Sequence, residues 1–204
     1  SVMKRLINTF LFSSFIFSQY PADSLFSSPD NSITQKIFLY PIAKWQGISY
    51  GNRTMNCQFF PSCSNYGAQA IHEKGVLSGL FITSDRIIRC NHTAYSVHNK
   101  MGGKFHNDGR LVDQVNYDVL SKTKKSPILA AGLSMVVPGL GRVYAGRPKD
   151  GAFGFLMSVL AINAGARSLK KESFLSPLYI SMALTFYGGE IYGAYRTAKY
   201  YQPL

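Results

Sequence analysis

The sequence predicts an all-α protein in which a small cysteine-containing helical hairpin unit precedes a transmembrane or re-entrant helical domain. Three observations carry that prediction. The run Cys57-Gln-Phe-Phe-Pro-Ser-Cys63-Ser-Asn-Tyr66 leads into a segment that stops at Gly75. A second apolar-periodic segment follows from Val76 to Cys90. Beyond Lys125 the segments 126–141, 151–166 and 173–189 contain no charged residue.

The composition narrows the class of partner. Lys and Arg number 22 against 10 acidic residues, a net charge of +12, yet 46% of the 204 residues are apolar. A nucleic-acid binder is usually more charged and less apolar, so no specific nucleic-acid role is expected. A partner that is both apolar and anionic fits better, which means a bilayer surface with anionic lipids.

Taken in order, residues 1–18 open with Met3-Lys4-Arg5 and continue with a short apolar run from Leu6. That is the layout of a signal peptide cleaved after Ser18, or of a short N-terminal membrane helix. Residues 19–33, with Pro21, Pro29 and four serines, have the composition of a linker. Gln35 to Trp45 is expected to be a helix, bent or interrupted at Pro41, lying in the membrane interface or in a core. Ser62 or Ser64 caps a helix through Tyr66, Ala68, Ala70 and Ile71, and Gly75 after Lys74 stops it. The next helix carries Leu77, Leu80, Phe81, Ile87 and Ile88 on one face and projects Arg86 and Arg89 as a pair on another. Residues 91–120 lose regularity and are expected to be an ordered loop or tail.

The charge-free segments are 16, 16 and 17 residues long, short of the roughly 20 that a full crossing needs. The first is broken at Pro138-Gly139, which suits a re-entrant turn protected by protein or water. With three full crossings, Lys and Arg divide six against five between the two sides. With 126–149 re-entrant they divide eight against three, which places the cysteine unit in the cytoplasm with reduced thiols. A cleaved signal peptide would place it outside. The domain division is therefore 1–18, 19–33, 34–120 and a membrane helical domain at 121–204.

Cys57, Cys63 and Cys90 are all the cysteines of the chain. With one histidine they would make a Cys3His zinc set, but five residues separate the first two, and no Cys-x-x-Cys pair exists. Burial or a disulfide is the expectation, with no metal and no cofactor. Cys63 at a helix N-terminus has the position of a nucleophile beside His72 or His92, but no third orienting residue stands out, so no catalytic residue is assigned. Gly139-Leu-Gly141 lacks the Gly-Lys-Ser/Thr ending of a phosphate loop.

The segment 36–103 resembles the membrane protein insertion efficiency factor (YidD) family. The resemblance rests on Cys57-Gln-Phe-Phe-Pro61-Ser62-Cys63-Ser64-Asn65-Tyr66, Gly75, Gly79 and Arg86-Ile-Ile-Arg89-Cys90. Thr93 stands where the family usually has proline. The resemblance implies a non-enzymatic assistant at the bacterial inner membrane, working near a YidC-type insertase and the Sec translocon. It makes Cys57, Pro61, Ser62, Cys63, Tyr66, Gly75, Gly79, Arg86, Arg89 and Cys90 structural or partner-binding residues. Pro138-Gly139-Leu-Gly141-Arg-Val-Tyr144 is similar to membrane segments of TM2-like proteins. Lys44, Lys74, Arg86 and Arg89 are expected to face anionic headgroups. Two other classes remain: an exported, membrane-disrupting haemolysin-like protein, and a thiol- or metal-dependent membrane enzyme.

Overall fold

The structure is a computed structural model that describes residues 21–51, 57–115 and 125–200. The signal-like segment 1–18 lies outside the described residues. The described residues are all-α apart from one two-residue strand pair.

The segment 19–33, expected as a linker, contains helix α1 (Pro21–Ser27). Ala22 is fully buried, and its N–H donates to Gln46 Oε1 at 2.9 Å. Helix α2 (Ile33–Ser49) starts at a capping box: Ser32 N–H donates to Gln35 Oε1, and Gln35 N–H returns to Ser32 Oγ. It runs through Pro41 without the expected interruption. An interior proline costs about 3 kcal/mol, which burial of Leu39 and Ala43 against α1 and the next helix offsets.

Strand β1 (Phe59–Phe60) leads into α3 (Cys63–Lys74), with Ser62 Oγ accepting from Asn65 N–H. Gly75 takes φ 78°, which turns the chain directly into α4 (Val76–Arg89). The two helices cross at Gly79, where a Cβ would stand 2.6 Å from Ile71 Cα. The stretch after Cys90 is more regular than its composition suggests. Asn91 Oδ1 accepts from Thr93 N–H and opens α5 (Ala94–Lys100). Strand β2 (Leu111–Val112) then pairs in parallel with β1, Phe59 opposite Leu111.

The C-terminal part begins with α6 (Pro127–Val136), capped by Ser126 with Pro127 in the first turn. The break falls at Pro138-Gly139, with Gly139 at φ 86°, and α7 (Leu140–Tyr144) follows. Helix α8 (Pro148–Lys170) has 23 residues, about 34 Å at 1.5 Å per residue. It is the one helix among the described residues long and apolar enough to cross a membrane. Helix α9 (Ser176–Tyr200) extends the charge-free run 173–189 past Glu190, and packs on α4, α6, α7 and α8.

Helices α8 and α9 reverse the usual polarity of a water-soluble helix. The buried face of α8 carries Gly151, Gly154, Ser158, Gly165 and Ser168. Its large residues, including Phe155, Leu156, Leu160 and Leu169, are exposed. Small residues let the backbones approach, as they do between helices in lipid.

Candidate functional site

The α3–α4 hairpin and the C-terminal helices meet on a buried network of charges. At its family-motif end, Arg86 is fully buried between the rings of Phe59 and Tyr66, at 4.1 and 4.4 Å from their centroids. Its Nη2 donates to the Pro61 carbonyl at 2.9 Å, and Nη1 to the Asp113 carbonyl at 2.7 Å. Nη1 also lies 3.0 Å from the Asp113 carboxylate. Arg89, one turn on, bridges Asp85 at 2.9 Å and Asp113 at 2.7 Å.

Both arginines are thus withdrawn from the surface, which corrects their expected headgroup-facing role. The physical reason is that Asp85, one turn before Arg89, and Asp113, brought back by β2, neutralise them inside the fold. Lys44 and Lys74 are exposed. Leu77 and Ile87, expected on the apolar packing face of α4, are exposed as well, whereas Ile82 and Ile88 take the buried positions.

The network continues into the C-terminal helices. Arg142 of α7 donates to Asp85 at 2.7 Å and to Glu190 of α9 at 2.8 Å, and all three side chains are buried. Arg196 of α9 reaches Asp113 at 3.3 Å and Asp85 at 3.6 Å. Helix α9 can come this close to α4 because Gly188, Gly189 and Gly193 face Phe81, Ser84 and the Asp85–Arg142 pair; side chains there would collide with them. Ser84 Oγ completes the contact by donating to the Thr185 carbonyl at 3.0 Å.

Burial pushes the Asp85 carboxyl up, but Arg89, Arg142 and Arg196 outweigh it and hold the group below its ordinary 3.8. Asp113 behaves alike, with burial opposed by Arg89, Arg196 and Arg86. These groups bind and orient one another.

The three cysteines converge where the hairpin begins and ends, beside Phe59. Cys57 precedes β1, Cys63 begins α3 and Cys90 ends α4. Their sulfurs all lie within 4.8 Å of one another, and Cys57 and Cys63 are 3.6 Å apart. Contact with Cys63 and then Cys90 lowers the Cys57 thiol, and contact with Cys57 and then Cys90 pushes the Cys63 thiol up. All three are free thiols and half-buried. Among the described residues they form the one group of His, Cys and acidic side chains placed to hold a metal ion. His72, weighed from sequence as a partner of Cys63, bonds Asn31 instead, at 2.7 Å.

Residues 34–101, which carry this hairpin, match the family model described as "Putative membrane protein insertion efficiency factor" (YidD). A relative of that name from Colwellia psychrerythraea is 39% identical over 62 residues, covering 30% of this chain and 76% of the relative. The chain belongs to the YidD family. Another YidD relative, from Oleidesulfovibrio alaskensis, is 31% identical over 78 residues, 38% of this chain and 91% of the relative. No solved structure matches. The YidD match includes Asp85, Arg86, Arg89 and all three cysteines; Asp113, Arg142, Glu190 and Arg196 lie beyond it.

Sequence reasoning missed those four. Glu190 left a signal, since an ionisable residue that ends an apolar run and continues its helix is expensive unless paired. Asp113 and Arg196 left none, because only the strand return and the α4–α9 crossing bring them in.

Proposed function

We propose that this YidD protein is a membrane-seated accessory factor that assists the insertion and folding of bacterial inner-membrane proteins, near a YidC-type insertase or the Sec translocon. The observation that carries this reading is the reversed polarity of the C-terminal helices. Charges lie inside, as with Arg142 and Glu190, while Ile128, Val136, Phe155, Leu160 and Leu184 face outward. Apolar surface on that scale is costly in water and is at home in lipid.

Helix α2 extends the same surface. Ile33, Ile37, Tyr40, Trp45 and Ile48, spaced by three to five residues, form an exposed row along it, with Lys44 over the Tyr40 ring at 5.5 Å. A helix with this row lies in the membrane interface, where Lys44 and Lys74 each gain about 1 kcal/mol from anionic lipids. In this reading 34–115 is the family unit and 125–200 its membrane seat, joined by the charge network. No catalytic residue is assigned. The names of the relatives support the insertion role.

The test is an insertion assay in cells that lack the protein. A slowly inserting test membrane protein is expected to reach its protease-protected state more slowly, and the wild-type chain is expected to restore the rate. A chain with Ile37, Trp45 and Ile48 changed to Ser is expected to restore it only in part. Unchanged insertion on removal of the protein would overturn the reading.

A further inference from the structure

We propose that Cys57, Cys63 and Cys90 bind one zinc ion through three thiolates. The site goes beyond the insertion role and does not depend on it. Three thiols cannot all pair as disulfides within one chain, yet the fold brings all three sulfurs within 4.8 Å of one another. Two sulfurs on a tetrahedral zinc with Zn–S bonds of about 2.3 Å stand about 3.8 Å apart. Cys57 and Cys63 stand 3.6 Å apart.

The surroundings suit a thiolate set. Gln58 Nε2 donates to Cys90 Sγ at 3.3 Å while holding the Asn91 carbonyl at 3.2 Å. Such outer hydrogen bonds orient metal ligands and spread their charge. The positive charges of Arg86 and Arg110 act on Cys63 and Cys57 respectively. Phe59, Ala94 and Leu111 pack against Cys57 and Cys90 and close the apolar side. On the open side lies a groove lined by Cys57, Gln58, Tyr95, Asp108 and Arg110. The Asp108 carboxylate is engaged by Arg110 at 2.7 Å and His106 at 2.9 Å. The fourth zinc position therefore faces solvent and takes water.

Zinc here would join the approach to β1, the start of α3 and the end of α4 at one atom. The sequence hid it because the first gap is too wide for the usual motif, and the third ligand returns only after a complete helical hairpin.

The experiment uses the full chain purified in detergent under reducing conditions with Zn2+ present, then dialysed free of loose metal. Elemental analysis is expected to give about one zinc per chain, and Co2+ exchanged into the site to give thiolate-to-cobalt charge-transfer absorption. All three thiols are expected to resist alkylation until a chelator is added. Cys90→Ser should lose the zinc. Gln58→Ala, which leaves the ligands intact, should weaken zinc binding by about 10- to 100-fold. A chain holding less than about a tenth of an equivalent under these conditions would overturn the proposal. So would zinc that persists undiminished in Cys90→Ser, or a Cys57–Cys63 disulfide in the protein as isolated from cells.

Discussion

At the scale of residues, the protein turns on a few ionic groups that no water reaches. Arg142 is fully buried, and both of its carboxylate partners, Asp85 and Glu190, are fully buried with it. Removing one member of such a set leaves a charge stranded, which costs about 3–5 kcal/mol. Arg142→Met is therefore expected to lower unfolding stability by that amount in detergent, as measured by denaturant titration. The double variant with Asp85→Asn should cost clearly less than the two single changes summed, since the pair is directly bonded. The same network sets a pH dependence. The Asp85 and Asp113 carboxyls are held below their ordinary 3.8 in the folded chain, so the folded state takes up protons less readily than the unfolded one. Their stabilisation is complete above that value and is lost as pH falls below about 4 toward the folded values. Thermal unfolding followed between neutral pH and pH 3 should show Tm falling at the acid end, with a shallower fall in a chain carrying Asp113→Asn.

At the scale of elements, the helices that matter meet through glycine. Gly79 faces the Ile71 backbone, where a Cβ would come to 2.6 Å. Gly79→Ala is expected to push α3 from α4 and cost about 1–3 kcal/mol, read from denaturant unfolding. The matching Gly132→Ala, where a Cβ would meet nothing, should instead leave stability unchanged or raise it by up to about 1 kcal/mol. The hairpin itself was legible from the sequence: Ser62 caps, Gly75 turns and the cysteines sit at its ends. The break at Pro138-Gly139 was legible too, because proline and glycine act locally. What local chemistry could not reveal was the direction in which α4 points its arginines. Arg86 and Arg89 resemble a solvated pair until Asp113 arrives from a strand 24 residues downstream of Arg89. The convergence of the cysteines escaped for the same reason, since it needs the complete hairpin. Helix α1 went unread because two prolines and several serines outweigh one apolar turn in composition, whereas Ala22 and Gln46 decide it in three dimensions.

At the scale of the whole molecule, the YidD unit and the C-terminal helices are one body. The charges of α4 are completed by Arg142 and Arg196, residues beyond the family match. The apolar row on α2 and the outward faces of α6, α8 and α9 give that body its surface. The central claim is that this surface meets lipid, and the chain provides its own probe, because Trp45 is the single tryptophan and lies in the exposed row of α2. The direct measurement is Trp45 fluorescence of the full-length protein reconstituted into anionic vesicles with acyl chains brominated at successive depths. Blue-shifted emission is expected, quenched most strongly by bromines nearest the headgroups, as for a helix lying in the interface. Emission at the wavelength of water-exposed tryptophan, unaffected by bromine at any depth, would contradict it.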